Sequence, residues 1–182
     1  GRLFRNELRL WNVPQRYALA VEATPPPRAA LLPHIWLSDE EIRQGQRLLE
    51  QLPDKAGTPP IALHPYATHP DKAWKEAYWR QLVELFESRG IPWIVIGRGS
   101  GMEGIPASRN FTNRTSLRET CALLKSSSLL ITGDSGPMHL AGAVGTPVLA
   151  LFGPTTEEWG FFPAGPKDRV LESQLDCRPC TL

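Results

Sequence analysis

No run of about 18 apolar residues occurs in this 182-residue sequence, so it offers no membrane-spanning helix. Its first residues, GRLFRNELRLW, lack the apolar core of a signal peptide. An excess of either charge is missing too: 20 Lys and Arg face 19 Asp and Glu, a net +1. That balance gives no reason to expect nucleic acid or an acidic membrane surface, and no nucleic-acid partner is expected. Cysteine is scarce, with three residues in all. Cys177 and Cys180 form a C-x-x-C that is half of a zinc site and lacks two ligands. It reads as two free thiols or an adventitious disulfide, and no metal is expected. No Asp-x-Asp pattern occurs, which argues against a carboxylate-held Mg²⁺ under a nucleotide diphosphate.

What remains is an ordinary globular composition, 41% hydrophobic and 21% charged. The length suits one domain with an extra segment. A glycine at position 1 and a stop two residues past the C-x-x-C lead us to expect a piece of a longer protein. Residues 1–30 read as irregular, with Pro25-Pro26-Pro27 as a stiff extended stretch. We expect an interdomain linker or crossing segment there, and one main domain over 31–182.

Local signals then alternate. Ser38 with Glu41 makes a capping box that opens a helix to about residue 52, and a loop over 53–60 follows. The run 61–64 is a strand. A helix over 74–89 carries Tyr78, Leu82, Leu85 and Phe86 on one face. Residues 92–97 form the next strand. Ser116 with Glu119 opens another helix, with Leu117, Cys121 and Leu124 facing inward. Strands at 129–131, 147–152 and 169–171 flank a short helix over 136–145 that starts with Pro137 and stops at a glycine. The fold class is α/β: a Rossmann-like parallel sheet with helices on both faces. Such sheets bind ligands at the carboxyl ends of their strands, where the polar loops after 61–64, 92–97 and 129–131 converge.

The string GDSGP at 133–137 is a serine-protease hallmark, yet its flanks are strand, turn, helix and strand. No histidine carries a local triad signature, and His139 falls on a helix whose apolar pattern packs inward. A turn at a helix N-terminus instead presents N–H groups and partial positive charge to phosphate. Asp134 and Ser135 fall at or just before the N-cap, with Ser135 expected to cap. Gly136 allows close approach, and His139 adds a donor. Lys72, in ATHPDKAW, stands beside the same edge and can pair with phosphate. GSGMEG at 99–104 fits a dinucleotide fingerprint on paper. The residues after it, IPASRN, have no helical period, so it reads as a flexible loop with Glu103 available to sugar hydroxyls.

These residues resemble glycosyltransferase family 9, the ADP-heptose:lipopolysaccharide heptosyltransferases. DSGPMHLAGAVGTPVLALFGPT is similar to that family's D-[ST]-G-x-x-H block, HPYATHPDKAW to its strand-loop ending in K-x-W, and DCRPC to its C-x-P-C. The resemblance spans about residues 32–180. It implies one half of a GT-B glycosyltransferase, the donor-binding half of an inverting, metal-independent enzyme. It implies that Lys72, Asp134, Ser135, Gly136 and His139 meet the diphosphate and sugar of ADP-heptose. It places Thr68, Glu103 and Thr115 on the nucleoside side. The acceptor, lipopolysaccharide inner core, and the catalytic base are implied to belong to an N-terminal domain outside this chain, so we expect donor binding without transfer. No cofactor is expected. The expected location is cytoplasmic, peripheral at the inner face of the inner membrane included. A GT-B relative using another nucleotide sugar and a non-catalytic nucleotide-binding module stay open, with an NAD oxidoreductase behind them.

Overall fold

The computed structural model describes residues 8–53 and 57–180. Residues 1–7 of the expected linker, 54–56 of the expected loop, and 181–182 lie outside them. Five strands form one sheet: β1 (Ile61–His64), β2 (Trp93–Val95), β3 (Leu129–Gly133), β4 (Val148–Phe152) and β5 (Arg169–Glu172). All neighbours pair in parallel, in the order β2-β1-β3-β4-β5. The chain moves outward from β1 to β2, then crosses back over β1 to lay down β3. A crevice opens where that direction reverses, at the carboxyl ends of β1 and β3.

Five helices are described with the strands: α1 (Val13–Ala18), α2 (Asp39–Leu49), α3 (Glu76–Ser88), α4 (Leu117–Lys125) and α5 (Gly136–Val144). Side chains alternate across the sheet and divide the core in two. Ala62, Ile94, Leu130 and Val148 point to one face, where they meet Leu123 and Leu124 of α4 with Met138 and Val144 of α5. Leu63, Trp93, Val95 and Ile131 point to the other, against Trp79 and Phe86 of α3. Outside α4 lies α2. A Cβ at Gly45 would stand 2.7 Å from the Ala122 carbonyl carbon, so only glycine lets these two helices come so close.

Both expected capping boxes form. Ser38 and Ser116 each accept from the backbone N–H three residues on, and Glu41 and Glu119 each accept from the cap's own N–H. Three expectations need correction. The N-terminal segment is not irregular throughout: Asn12 and Gln15 form a third capping box that starts α1. This helix is fastened to the loop after β4, with Val13 N–H donating to Gly160 O at 3.0 Å and Arg16 to Glu158 O at 2.6 Å. On α3 the buried side chains are Trp79 and Phe86, while Tyr78 and Leu85 are exposed. On α4, Leu117 is exposed rather than inward, whereas Cys121 and Leu124 are buried.

Candidate functional site

The crevice at the switch point is a cavity of about 450 Å³. Its walls come from the loops after β1, β2 and β3, and include Tyr66, Thr68, Gly97, Thr115, Ser135 and Gly136. The glycine-rich loop after β2 owes its shape to aromatic packing. Gly97 has φ +117°, and a Cβ there would lie 2.4 Å from His64 Cδ2. A Cβ at Gly99 would lie 2.3 Å from the Tyr66 ring. Gly97 and Gly99 therefore seat two rings, and no helix follows the GSGMEG string at 99–104, so the dinucleotide fingerprint has no structural counterpart. Asn113 pins the loop by exchanging hydrogen bonds with both main-chain groups of Gly99.

The turn after β3 holds the charged part. Lys72 ends a short 3-10 turn, Pro70–Lys72, and its Nζ lies 2.6 Å from Asp134 Oδ2. The same oxygen accepts from Thr155 Oγ1 at 2.9 Å. Both members of the ion pair are largely buried, at 19% and 10% side-chain exposure. In so dry a setting each charge depends on the other, and removing one partner leaves an uncompensated charge. Asp134 thus fixes Lys72 at the mouth of α5.

Ser135 occupies the N-cap position of α5 but does not cap it, which corrects the expectation from sequence. Its backbone is extended, as a cap requires, yet its hydroxyl makes no bond to the helix N-terminus. The Oγ turns inward instead, to Thr132 Oγ1 at 2.9 Å and His64 Nδ1 at 3.2 Å. Helix α5 therefore begins without a side-chain cap, and Gly136 leaves the approach to it open, since a Cβ there would meet nothing within 4 Å. Pro137 has no N–H to satisfy.

Sequence places His64 at the end of a strand and gives it no role, because its contacts lie 68 and 71 residues away and no local pattern announces them. It ends β1, is 6% exposed, and burial lowers its pKa from 6.5 to about 4. A histidine so hard to protonate is a weak general base at neutral pH. No carboxylate hydrogen-bonds to it among the described residues, and Asp134 is committed elsewhere. The pair Ser135 and His64 is therefore a polar contact, not the start of a protease triad.

The remaining candidates fall in different places. Thr68 and Thr115 line the cavity, and Thr115 Oγ1 is 2.9 Å from Thr120 Oγ1. His139 is exposed rather than packed inward. It borders a second, mostly apolar hollow of about 320 Å³ beside Phe161, whose walls partly strip water from the ring and lower its pKa, while Asp134 opposes the shift. Glu103 is exposed and outside the cavity; its carbonyl accepts from Arg80 at 2.9 Å. Cys177 and Cys180 are free thiols. Between them Arg178 donates to Thr155 O at 2.8 Å and pairs with Glu172. No group of three or more His, Cys, Asp or Glu is placed to hold a metal ion among the described residues. No described helix is long and apolar enough to cross a membrane.

The strand order and the switch-point crevice are those of a Rossmann-like α/β domain, and the solved structures it superposes on are GT-B glycosyltransferases. The chain belongs to glycosyltransferase family 9, the heptosyltransferase family, whose pattern residues 12–182 match. It is 35% identical over 145 residues to lipopolysaccharide heptosyltransferase 1 of Pseudomonas aeruginosa, covering 72% of this chain and 39% of that protein. With lipooligosaccharide heptosyltransferase 2 of Haemophilus influenzae it shares 29% over 164 residues, 80% of this chain and 47% of the relative. The chain thus spans less than half the length of these two relatives. Among solved structures, a family 9 glycosyltransferase from Veillonella parvula superposes with TM-score 0.68 at 25% identity, over 77% of this chain and 42% of that one. The ADP-heptose heptosyltransferase II of Escherichia coli shares the fold, with TM-score 0.65 at 24% identity, over 85% and 52%.

Proposed function

We propose that this chain is the donor-binding half of an inverting, metal-independent heptosyltransferase that acts on the lipopolysaccharide inner core, with ADP-heptose as donor. The observation that carries the reading is the uncapped N-terminus of α5 on the wall of a cavity of about 450 Å³, with Lys72 outside that wall but bound to Asp134 in the turn just before the helix. A diphosphate seated there meets the Gly136 N–H, the partial positive charge of the helix end and one ammonium, while Pro137 has no N–H and that of Met138 is bonded to Ser135 O. The nucleoside then extends into the cavity past Thr68 and Thr115. In this reading residues 31–182 form the nucleotide-sugar domain, and 1–30 cross between domains. It also places the enzyme in the cytoplasm, at the inner face of the inner membrane, where it meets its acceptor. The names of the relatives support heptose as the sugar.

In an inverting transfer the acceptor hydroxyl attacks the anomeric carbon as the bond to the diphosphate breaks. Negative charge grows on the leaving phosphate, where Lys72, the Gly136 N–H and the α5 dipole stabilise it by preorganised electrostatics without a bound metal. A base must take the hydroxyl proton. In this reading that base belongs to the half that holds the acceptor, and residues 31–182 bind the donor without supplying it.

Calorimetric titration with ADP, UDP and NAD tests the reading. We expect ADP to bind, and Lys72→Ala to weaken it by about tenfold or more, the worth of a charged hydrogen bond. Asp134→Ala weakens it as well, by freeing Lys72 to leave its position. Preference for UDP would keep the glycosyltransferase and discard heptose, and transfer by this chain alone would refute the binding-only reading.

A further inference from the structure

Three polar groups meet below the α5 turn. His64 Nδ1 lies 3.1 Å from Thr132 Oγ1 and 3.2 Å from Ser135 Oγ, and the two hydroxyls are 2.9 Å apart. The ring has little freedom, since Gly97 is pressed against Cδ2 and Nε2. Nε2 has no hydrogen-bond partner among the described residues, so the orientation of this histidine is set at Nδ1. The caps at Asn12, Ser38 and Ser116 all bond to their helices, whereas Ser135 is drawn away from its own.

Resting on the donor-binding reading above, we infer that His64 is a positioning residue that acts through Ser135. It holds the Ser135 hydroxyl below the turn, where the Met138 N–H is already taken by Ser135 O at 3.2 Å and Pro137 has no N–H to cap, and turns the Ser135 proton toward the phosphate.

The proton count explains how. A neutral imidazole carries one N–H, at Nδ1 or at Nε2. Thr132 Oγ1 has an acceptor of its own in Gly133 O at 3.1 Å. If the ring proton sits on Nε2, the bare Nδ1 takes the Ser135 proton, and Ser135 then shows only lone pairs to an anion. If it sits on Nδ1, His64 donates to the two hydroxyl oxygens and the Ser135 O–H is released toward the cavity. An arriving diphosphate is stabilised by the second arrangement and not by the first. Donor binding therefore selects the Nδ1–H tautomer, and no bond is made or broken beyond the shift of one ring proton.

The test combines variants with a spectroscopic readout on the whole chain, using ADP and inorganic pyrophosphate as probes. His64→Asn keeps an amide N–H near the Nδ1 position, and ADP affinity should stay within about threefold of wild type. His64→Leu fills the space without a donor, and affinity should fall by about tenfold, one charged hydrogen bond's worth. In a Ser135→Ala background, His64→Leu should cost nothing more, because the interaction it served is already gone. Nitrogen-15 spectra of the imidazole should show Nδ1–H gaining population as ADP saturates. Wild-type affinity in His64→Leu, an equal loss in the Ser135→Ala background, or an unchanged tautomer would each overturn the inference while the donor reading stands. If the wild-type chain binds neither ADP nor pyrophosphate, the donor reading falls and this inference with it.

Discussion

At the scale of single residues, His64 ties stability to pH. Burial lowers its folded pKa to about 4 from an ordinary 6.5. Between those values the unfolded chain binds the proton and the folded chain does not. Stability from this group is therefore complete above pH 6.5 and is lost as pH falls through that window. At pH 5 the loss is on the order of 2 kcal/mol. Urea unfolding at pH 7 and pH 5 should show that loss in wild type, and His64→Asn should reduce it by a similar amount. Gly97 sets a second prediction. Its positive φ and the His64 ring leave no room for a methyl group, so Gly97→Ala should destabilise by more than about 2 kcal/mol in denaturant unfolding. It should also weaken ADP binding, because the displaced ring no longer reaches Ser135.

At the scale of elements, helix ends separate stability from binding. Ser38 caps α2, and Glu41 both completes that box and pairs with Arg118 of α4 at 2.6 Å. Arg118 and the Ser38 N–H hold the Glu41 carboxyl down at a pKa of about 2. Ser38→Ala should cost about 1 kcal/mol of stability and leave ADP titration unchanged. Such boxes are legible in sequence because their partners sit three residues apart. The same spacing in Asn12 and Gln15 is not legible as a helix start, because the surrounding segment shows no apolar period. On α3 the apolar residues form two adjoining stripes, and only packing against Trp93 and Val95 decides that Trp79 is inside and Tyr78 outside. Leu117 is apolar at the first turn of α4, yet it borders the cavity, where an apolar side chain is left uncovered. The GDSGP turn was readable as strand, turn and helix. What Ser135 bonds to was not, because His64 approaches from a different strand.

At the scale of the whole molecule, the sheet order follows from the alternation of strands and helices, but the crossing over β1 is a tertiary fact. It brings the loops after β1 and β3 to one crevice. A ligand that binds only this assembled state stabilises it by mass action. At one hundred times its dissociation constant, ADP should add about 2.7 kcal/mol, a rise of roughly 5–10 °C in melting temperature for a chain of this size. Scanning calorimetry with and without ADP checks this, and Lys72→Ala should shrink the shift.

The pairing of β1 with β3 has a kinetic side as well. Ile61 lies beside Leu129 and His64 beside Thr132, so one register joins segments 68 residues apart. Helices such as α2 and α4 close short loops and form early, whereas this pairing must wait for a long one. The two halves of the α5 turn's support, His64 on one strand and Ser135 just past the other, meet only at that late step. A refolding chain should therefore regain helical signal before it regains ADP binding, and the time course of nucleotide capture would serve as a clock for the closing of the sheet.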